Sequence, residues 1–332
     1  MGRLEMTEAL SLMYGIDLPA RSIVGLPAEQ ERTLFLVGTL SLKQDNQVCL
    51  LEVDDDWLQI TKRSFNHPAG EIWCISSSPV DSSIIATCYV AWVISSRVEF
   101  HPSGNKVAIA INNSVLLADV TNSLKVESSI LVDGKTPIGA AVWNPHSNGS
   151  NLAVAYDTLL KGVDVRSLQE SFCIKHVNSP RIRNLDFNPN VQHIVATCGD
   201  DFKVVLWDIR KVDVPLKVLQ DHSHWVWCVK FNPIHDQLLL SAGSDARLFL
   251  NSLESLSSES IHSLALVSDD SYSSPENILG DERLEKMEEH EESVYSCAWA
   301  GNDPWVFASV SFDGRVIVSK VKRHHKYAIL RL

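Results

Sequence analysis

Four tripeptides recur along the chain at nearly constant spacing: Phe100-His101-Pro102, Trp143-Asn144-Pro145, Phe187-Asn188-Pro189 and Phe231-Asn232-Pro233, their aromatic residues 43, 44 and 44 residues apart. After each comes a turn, a short apolar strand, a few small residues with an aspartate, and a second apolar strand. The segments 152–166, 195–210, 238–252 and 306–320 all follow this plan. Their period-two alternation and Val, Ile and Phe content indicate strands, and their Gly-Asp, Ser-Asp and Asp-Gly pairs indicate tight turns. A period of roughly 40–45 residues is the length of one four-stranded sheet used as a repeating unit. Such units bury their faces only by stacking on one another.

The unit is that of a WD40 β-propeller. Thr197, Asp201 and Trp207-Asp208 sit at the spacing at which blades of that fold link a strand hydroxyl, a turn aspartate and a strand tryptophan. The next blade supplies His222, Ser241 and Asp245 with Asn251 in place of the tryptophan; the last supplies His290, Ser309 and Asp313 with Ser319 there. These sets resemble catalytic triads. Because they recur at the repeat spacing, they are read as hydrogen-bond networks that satisfy buried polar groups. The expected fold is all-β: a single propeller of the seven-blade type over 1–332, with one blade truncated near 84–100. The tail 325–332 is expected to pair with an N-terminal strand and close the ring, removing exposed sheet edges.

Two breaks in the period carry information. Ser77 stands where Phe100 stands in its own blade, yet the two are only 23 residues apart, so about half a blade is missing. Phe231 and Trp299 are 68 residues apart, which is one period plus an excess. The excess is serine-rich over 253–275, and 269–292 holds ten acidic side chains against Arg283 and Lys286. The expectation for 253–287 is therefore a disordered acidic inter-blade loop, with a short helix around 281–289.

Composition narrows the function. The formal net charge of −12 leaves no basic stripe for nucleic acid and no attraction to an anionic membrane. No apolar run approaches the roughly 20 residues of a membrane span. The seven cysteines include no CxxC pair, and Cys74 and Cys228 each follow a tryptophan in similar strands, which points to reduced packing residues in a cytoplasmic protein. Gly134-Lys135-Thr136 lacks the first glycine of a phosphate-binding loop, Ser129 standing in its place. Asp221, His222 and His224 could ligate a metal, but His222 belongs to the blade network. No catalytic residue, cofactor or metal is expected, and the chain reads as a monomeric protein-binding scaffold.

The binding face can be located from the repeat. The first strand of a blade carries a bulge near its start, and a bulge re-aims its side chain. Counting back four residues from each blade's aromatic position reaches Trp73, Ser96, Gly139, Arg183, Trp227 and Tyr295, with Trp225 beside Trp227. Tryptophan, tyrosine and arginine dominate interface hot spots, so Trp73, Arg183, Trp225, Trp227 and Tyr295 are the candidate contacts. The competing expectation is that these rings pack between blades. A different surface is suggested by the D-x-R endings at Asp164–Arg166 and Asp208–Arg210. Arg166 and Arg210 could contact the adaptor of a cullin–RING ubiquitin ligase, making the chain a substrate receptor.

The runs 36–48, 67–79, 183–190, 222–247 and 303–316 resemble the family of EARP- and GARP-complex-interacting WD-repeat proteins, and the likeness extends in order over nearly the whole chain. It implies a seven-bladed propeller that binds multisubunit tethering complexes. Those complexes serve endosomal recycling and retrograde traffic to the trans-Golgi network. The resemblance thus implies a cytoplasmic protein held at those membranes through its partners. The family continues through the rest of a second blade between Tyr89 and Val90, which this chain lacks.

Overall fold

The computed structural model describes residues 11–89, 95–260 and 279–331. The recurring tripeptides are strand terminators. Proline cannot donate to the ladder, and the asparagine before it accepts backbone N–H groups just beyond. Asn188 accepts from Asn190 and Val191, and Asn232 from Ile234 and His235, at 2.7–3.0 Å. Asn144 accepts from His146, and in the first tripeptide His101 Nδ1 accepts from Ser103. The aromatic rings before them are buried. One of these rings and its counterpart in the last blade also join blades: Trp143 donates to the Glu99 carbonyl at 3.2 Å and Trp299 to the Lys230 carbonyl at 3.3 Å.

Among the described residues the strands form six four-stranded antiparallel sheets and one two-stranded sheet. Five of the four-stranded sheets are meanders over 20–67, 95–131, 140–174, 182–219 and 226–287. The sixth combines Val294–Trp299, Val306–Ser311 and Arg315–Lys320 with the N-terminal strand Ser11–Gly15, which lies opposite the last with Ser11 facing Ser319. The seven innermost strands pack in a cycle. Ala20–Gly25 lies against Ile72–Ser77, then follow Ser95–Phe100, Ala140–Trp143, Ile182–Phe187, Val226–Phe231 and Val294–Trp299, which returns to Ala20–Gly25.

Stability comes from the apolar layers between neighbouring sheets, where each buried Leu, Val or Phe contributes about 1.5–3 kcal/mol. Phe35, Leu51, Val306 and Val318 fill the layer where the first and last sheets meet. Leu240, Leu250 and Phe307 fill the one before it. The layer behind the two-stranded sheet is thinner, built from Cys74, Cys88, Val98, Phe100, Val107 and Ala118.

The break at 84–100 is visible as that two-stranded sheet. Ile72–Ser77 pairs with Ile85–Tyr89, and the next described strand, Ser95–Phe100, already belongs to the following sheet. Among the described residues six blades are complete. No described strand pairs with the outer edge of Ile85–Tyr89, and Ile84, Ile85 and Tyr89 are exposed.

Three expectations need correction. The tail does not form the closing strand: Arg323–Leu330 is a helix whose buried residue is Ile329, and Ser11–Gly15 pairs instead with Arg315–Lys320. No helix forms around 281–289, because Arg283–Met287 is the fourth strand of its blade, with Met287 opposite Leu248. The acidic segment is therefore not a loop over its whole length. Asp281 accepts from Lys217 at 2.7 Å and from the Ser255 N–H at 2.8 Å, tying both ends of the insertion to the blade. Its centre, 261–278, lies outside the described residues. No described helix is long and apolar enough to cross a membrane.

The blade networks form with variations. His222 bridges Asp245 at 3.0 Å and Ser241 at 2.9 Å. His290 bridges Ser309 at 2.7 Å and Ser311 at 2.8 Å, and Ser311 passes the link on to Asp313. In the 182–219 blade Asn178 takes the histidine's place and donates to Asp201 at 2.8 Å. The link from Thr197 to Trp207 is not made. Thr197 donates to the Val205 carbonyl, and the Trp207 indole N–H has no partner among the described residues. The seven cysteines form no disulfide, and six of them are buried.

Candidate functional site

Register shifts in the first strands fall between Ala20 and Ser22, Ile72 and Cys74, Ser95 and Arg97, Ile182 and Asn184, Val226 and Cys228, and Val294 and Ser296. The residues left at the bulges are Arg21, Trp73, Ser96, Arg183, Trp227 and Tyr295. A bulge leaves its extra residue unpaired and bends the strand. Here it delivers one side chain from each of several blades to a common centre. Gly139 precedes its strand without a bulge; a Cβ there would lie 2.3 Å from the Ile182 carbonyl, so the position stays bare. The Ser96 side chain lies outside the described residues.

At the centre Arg21 stacks on three rings. Its guanidinium carbon is 4.3 Å from the Trp73 ring centroid, 4.7 Å from Tyr295 and 5.2 Å from Trp227. Arg183 lies 4.5 Å from Trp227 and 5.3 Å from Trp225, and its fork grips Asp200. The rings continue outward as an arc. Trp227 touches Tyr295 and Trp225, Tyr295 touches Phe312, and Trp225 reaches Phe202 through His224. Trp225, Phe202 and Phe312 are each about two-fifths exposed, at 39%, 40% and 41%. Trp73, Trp227 and Tyr295 are half-buried. The inner rings thus pack between blades, and Trp225 with the other outer rings faces solvent.

Under the rings is a cavity of about 340 Å3 lined by Arg21, Arg97, Arg181 and Arg183, with no acidic residue among its described lining. Three arginines are engaged. Arg97 donates to the Gly139 and Arg183 carbonyls at 3.2 and 3.3 Å, and Arg181 to the Pro137 carbonyl at 2.8 Å. Arg21 has no hydrogen bond or ion pair to any described residue. Burial, and then repulsion from Arg97, lower its pKa to about 10, which leaves it charged.

A second cavity, of about 570 Å3, shares Arg97 with the first but is balanced internally. Lys230 lies 3.2 Å from Asp186, whose other oxygen accepts the Phe231 N–H at 2.8 Å. Burial opposes the charge on Lys230, but Asp186 and Glu99 outweigh it and raise its pKa.

Sequence reasoning missed Arg21, Arg97 and Arg181. The signal for Arg21 was the same four-residue offset, counted from Gly25. That residue is not aromatic because a Cβ there would lie 2.2 Å from the Trp299 carbonyl of the ring-closing blade. Arg166 and Arg210 lie apart from this lining. Each is bound to the aspartate two residues before it, Asp164 and Asp208, while remaining 77% and 62% exposed. Among the described residues no group of three or more His, Cys, Asp or Glu side chains could hold a metal ion.

Comparison with known proteins gives two family matches: the EIPR1 beta-propeller over residues 97–251 and the WD domain, G-beta repeat, over 281–318. The chain is 37% identical to the rat protein named EARP and GARP complex-interacting protein 1, covering 98% of this chain and 100% of that one. It is 36% identical to the human protein of that name over the same shares, and 36% identical to the EARP-interacting protein 1 of Caenorhabditis elegans over 97% and 99%. The rat alignment runs over 387 positions, more than the 332 residues here, so that relative carries residues this chain lacks. With the repeat, the fold and full-length identity in agreement, the chain belongs to the WD40 β-propeller family of EARP and GARP complex-interacting proteins.

Proposed function

We propose that this chain is a non-catalytic, monomeric scaffold that binds tethering complexes of the EARP and GARP type through its arginine–tryptophan face. The observation that carries the reading is the arc of rings around the basic cavity. Exposed tryptophan and phenylalanine cost solubility unless a partner covers them, and Trp, Tyr and Arg are the side chains that contribute most when an interface buries them. The names of the relatives supply the partner class. In this reading the protein acts in endosomal recycling and retrograde traffic to the trans-Golgi network, on the cytoplasmic side and held there by its partners. The ring is of the seven-blade type. The two-stranded sheet is the remnant of the seventh blade, and the shorter length relative to the rat protein supports that reading. The test is capture of a purified tethering complex by the full chain and by Trp225→Ala; loss of capture with an unchanged melting curve is the expected result.

A further inference from the structure

We infer that the central cavity is a carboxylate-binding site in which the guanidinium of Arg21 receives an acidic group from an extended segment of a protein partner. The inference rests on reading this face as the partner-binding surface, and it names the chemistry the surface recognises.

The cavity has four arginines in its described lining and no carboxylate. Arg183 is neutralised by Asp200, which leaves an excess of positive charge in a chain whose net charge is −12. An anion is the complementary occupant. The hydrogen bonds decide which kind. Arg97 and Arg181 donate to main-chain carbonyls, Arg181 through Nη2 alone with its Nε left without a partner among the described residues, and Arg183 holds Asp200, so only Arg21 keeps its whole fork free. One planar fork matches one planar carboxylate through two parallel hydrogen bonds. A tetrahedral phosphate, with three oxygens to satisfy, calls for several free forks. The rings on which Arg21 lies hold the fork in place, so little side-chain freedom is lost on binding.

The surroundings select a protein over a free ion. A cavity of about 340 Å3 admits one or two side chains. A small anion would leave Trp225, Phe202 and Phe312 bare. A segment that lowers an acidic side chain, or its own C-terminal carboxylate, into the cavity lays its neighbouring residues over those rings. The favoured ligand is an acidic residue flanked by apolar ones.

The test is a titration of the full chain followed by its tryptophan fluorescence, which reports on Trp73 and Trp227 beside Arg21. The probes are the N-acetylated, C-amidated tripeptide Phe-Glu-Phe, its Phe-Gln-Phe and Phe-phosphoserine-Phe analogues, and acetyl-Phe-Phe with a free C-terminal carboxylate. Saturable binding of the glutamate peptide is expected, at least about tenfold weaker for the glutamine peptide and for Arg21→Met, and unchanged in the exposed control Arg32→Met. Tighter binding of the acetyl-Phe-Phe probe identifies a chain end as the source of the carboxylate. Absence of saturable binding, equal affinity for the glutamine peptide, or clearly tighter binding of the phosphoserine peptide overturns the inference. Melting curves show whether Arg21→Met folds, and Arg21→Lys, which keeps the charge but loses the fork, gives a second variant with the same expected weakening. If Trp225→Ala leaves capture of the tethering complex intact while the peptide results stand, the reading of the partner fails and the carboxylate site does not.

Discussion

The guanidinium of Arg21 lies 4.3 Å from the ring of Trp73, although the two belong to different sheets and Arg21 has no ion pair to any described residue. A mostly buried cation held only by ring faces is costly to folding, because the desolvation of its charge is not repaid by an opposite charge. Residues that cost stability at a binding surface are expected to repay it in function. Replacing Arg21 with methionine keeps an unbranched stem beside the rings and removes the guanidinium and its charge. Arg21→Met is expected to melt at the same temperature as the parent or a few degrees higher by differential scanning calorimetry. A fall of more than about 5 °C would assign Arg21 a structural role instead.

The outer strand Arg283–Met287 predicts a cost where a loop would have none. It pairs with Leu248–Ser252, and Asp281 anchors it to Lys217 and Ser255. Deleting 281–287 uncovers that strand and its share of the apolar layer. A drop of more than about 5 °C in melting temperature is expected, and an unchanged curve would contradict the strand assignment. Asp281→Ala alone is expected to cost about 1 kcal/mol in urea unfolding, since the Lys217 pair is partly exposed.

His290 predicts a dependence on pH. Burial lowers its pKa to about 4, below the ordinary value near 6.5. The folded state thus prefers the neutral ring, which links Ser309 and Ser311. Its contribution is fully present above about pH 6.5 and is lost progressively as pH falls through 4, by up to about 3 kcal/mol. Urea midpoints measured from pH 7.5 to 4 should fall less steeply in His290→Gln than in the parent. Parallel curves for the two would show that other groups carry the acid sensitivity.

The outer edge of Ile85–Tyr89, which no described strand pairs with, predicts poor solubility. An exposed apolar strand edge is a template for pairing with another chain. Ile85→Lys is expected to reduce aggregation seen by light scattering with little change in melting temperature. Restoring about 20 to 45 residues between Tyr89 and Val90 is expected to raise both solubility and melting temperature, as a full blade would. Equal behaviour of the restored and present chains would mean that the short sheet is adequately covered.

Much of this fold was legible because its repeat is made of local chemistry. Asn188-Pro189 and Asn232-Pro233 end a strand wherever they occur, so their spacing marks the blades without tertiary knowledge. What was not legible depended on neighbours far along the chain. Gly25 breaks the aromatic series because the Trp299 backbone crowds it, and Arg21 was lost with that landmark. Arg283–Met287 carries charge on both faces, as an outer strand can, and so gave no alternation to read. The tail was expected to be a strand because a ring needs closing, yet Ser11–Gly15 performs the closure and frees 323–330 to be a helix. The candidate contacts were located by a geometric rule about bulges. The cationic cavity beneath them could not be, since Arg97 and Arg181 reach it from beside the bulge positions.

The most direct measurement is the affinity of a purified EARP-type tethering complex for the full chain, compared with Trp225→Ala and with Trp227→Ala combined with Tyr295→Ala, by biolayer interferometry, with melting curves taken in parallel. The account predicts saturable binding by the parent and a loss of about 2 kcal/mol, roughly thirtyfold in Kd, for Trp225→Ala at unchanged melting temperature. A larger loss is predicted for the double variant. Binding that survives intact in all three proteins, or no binding by the parent, would contradict it.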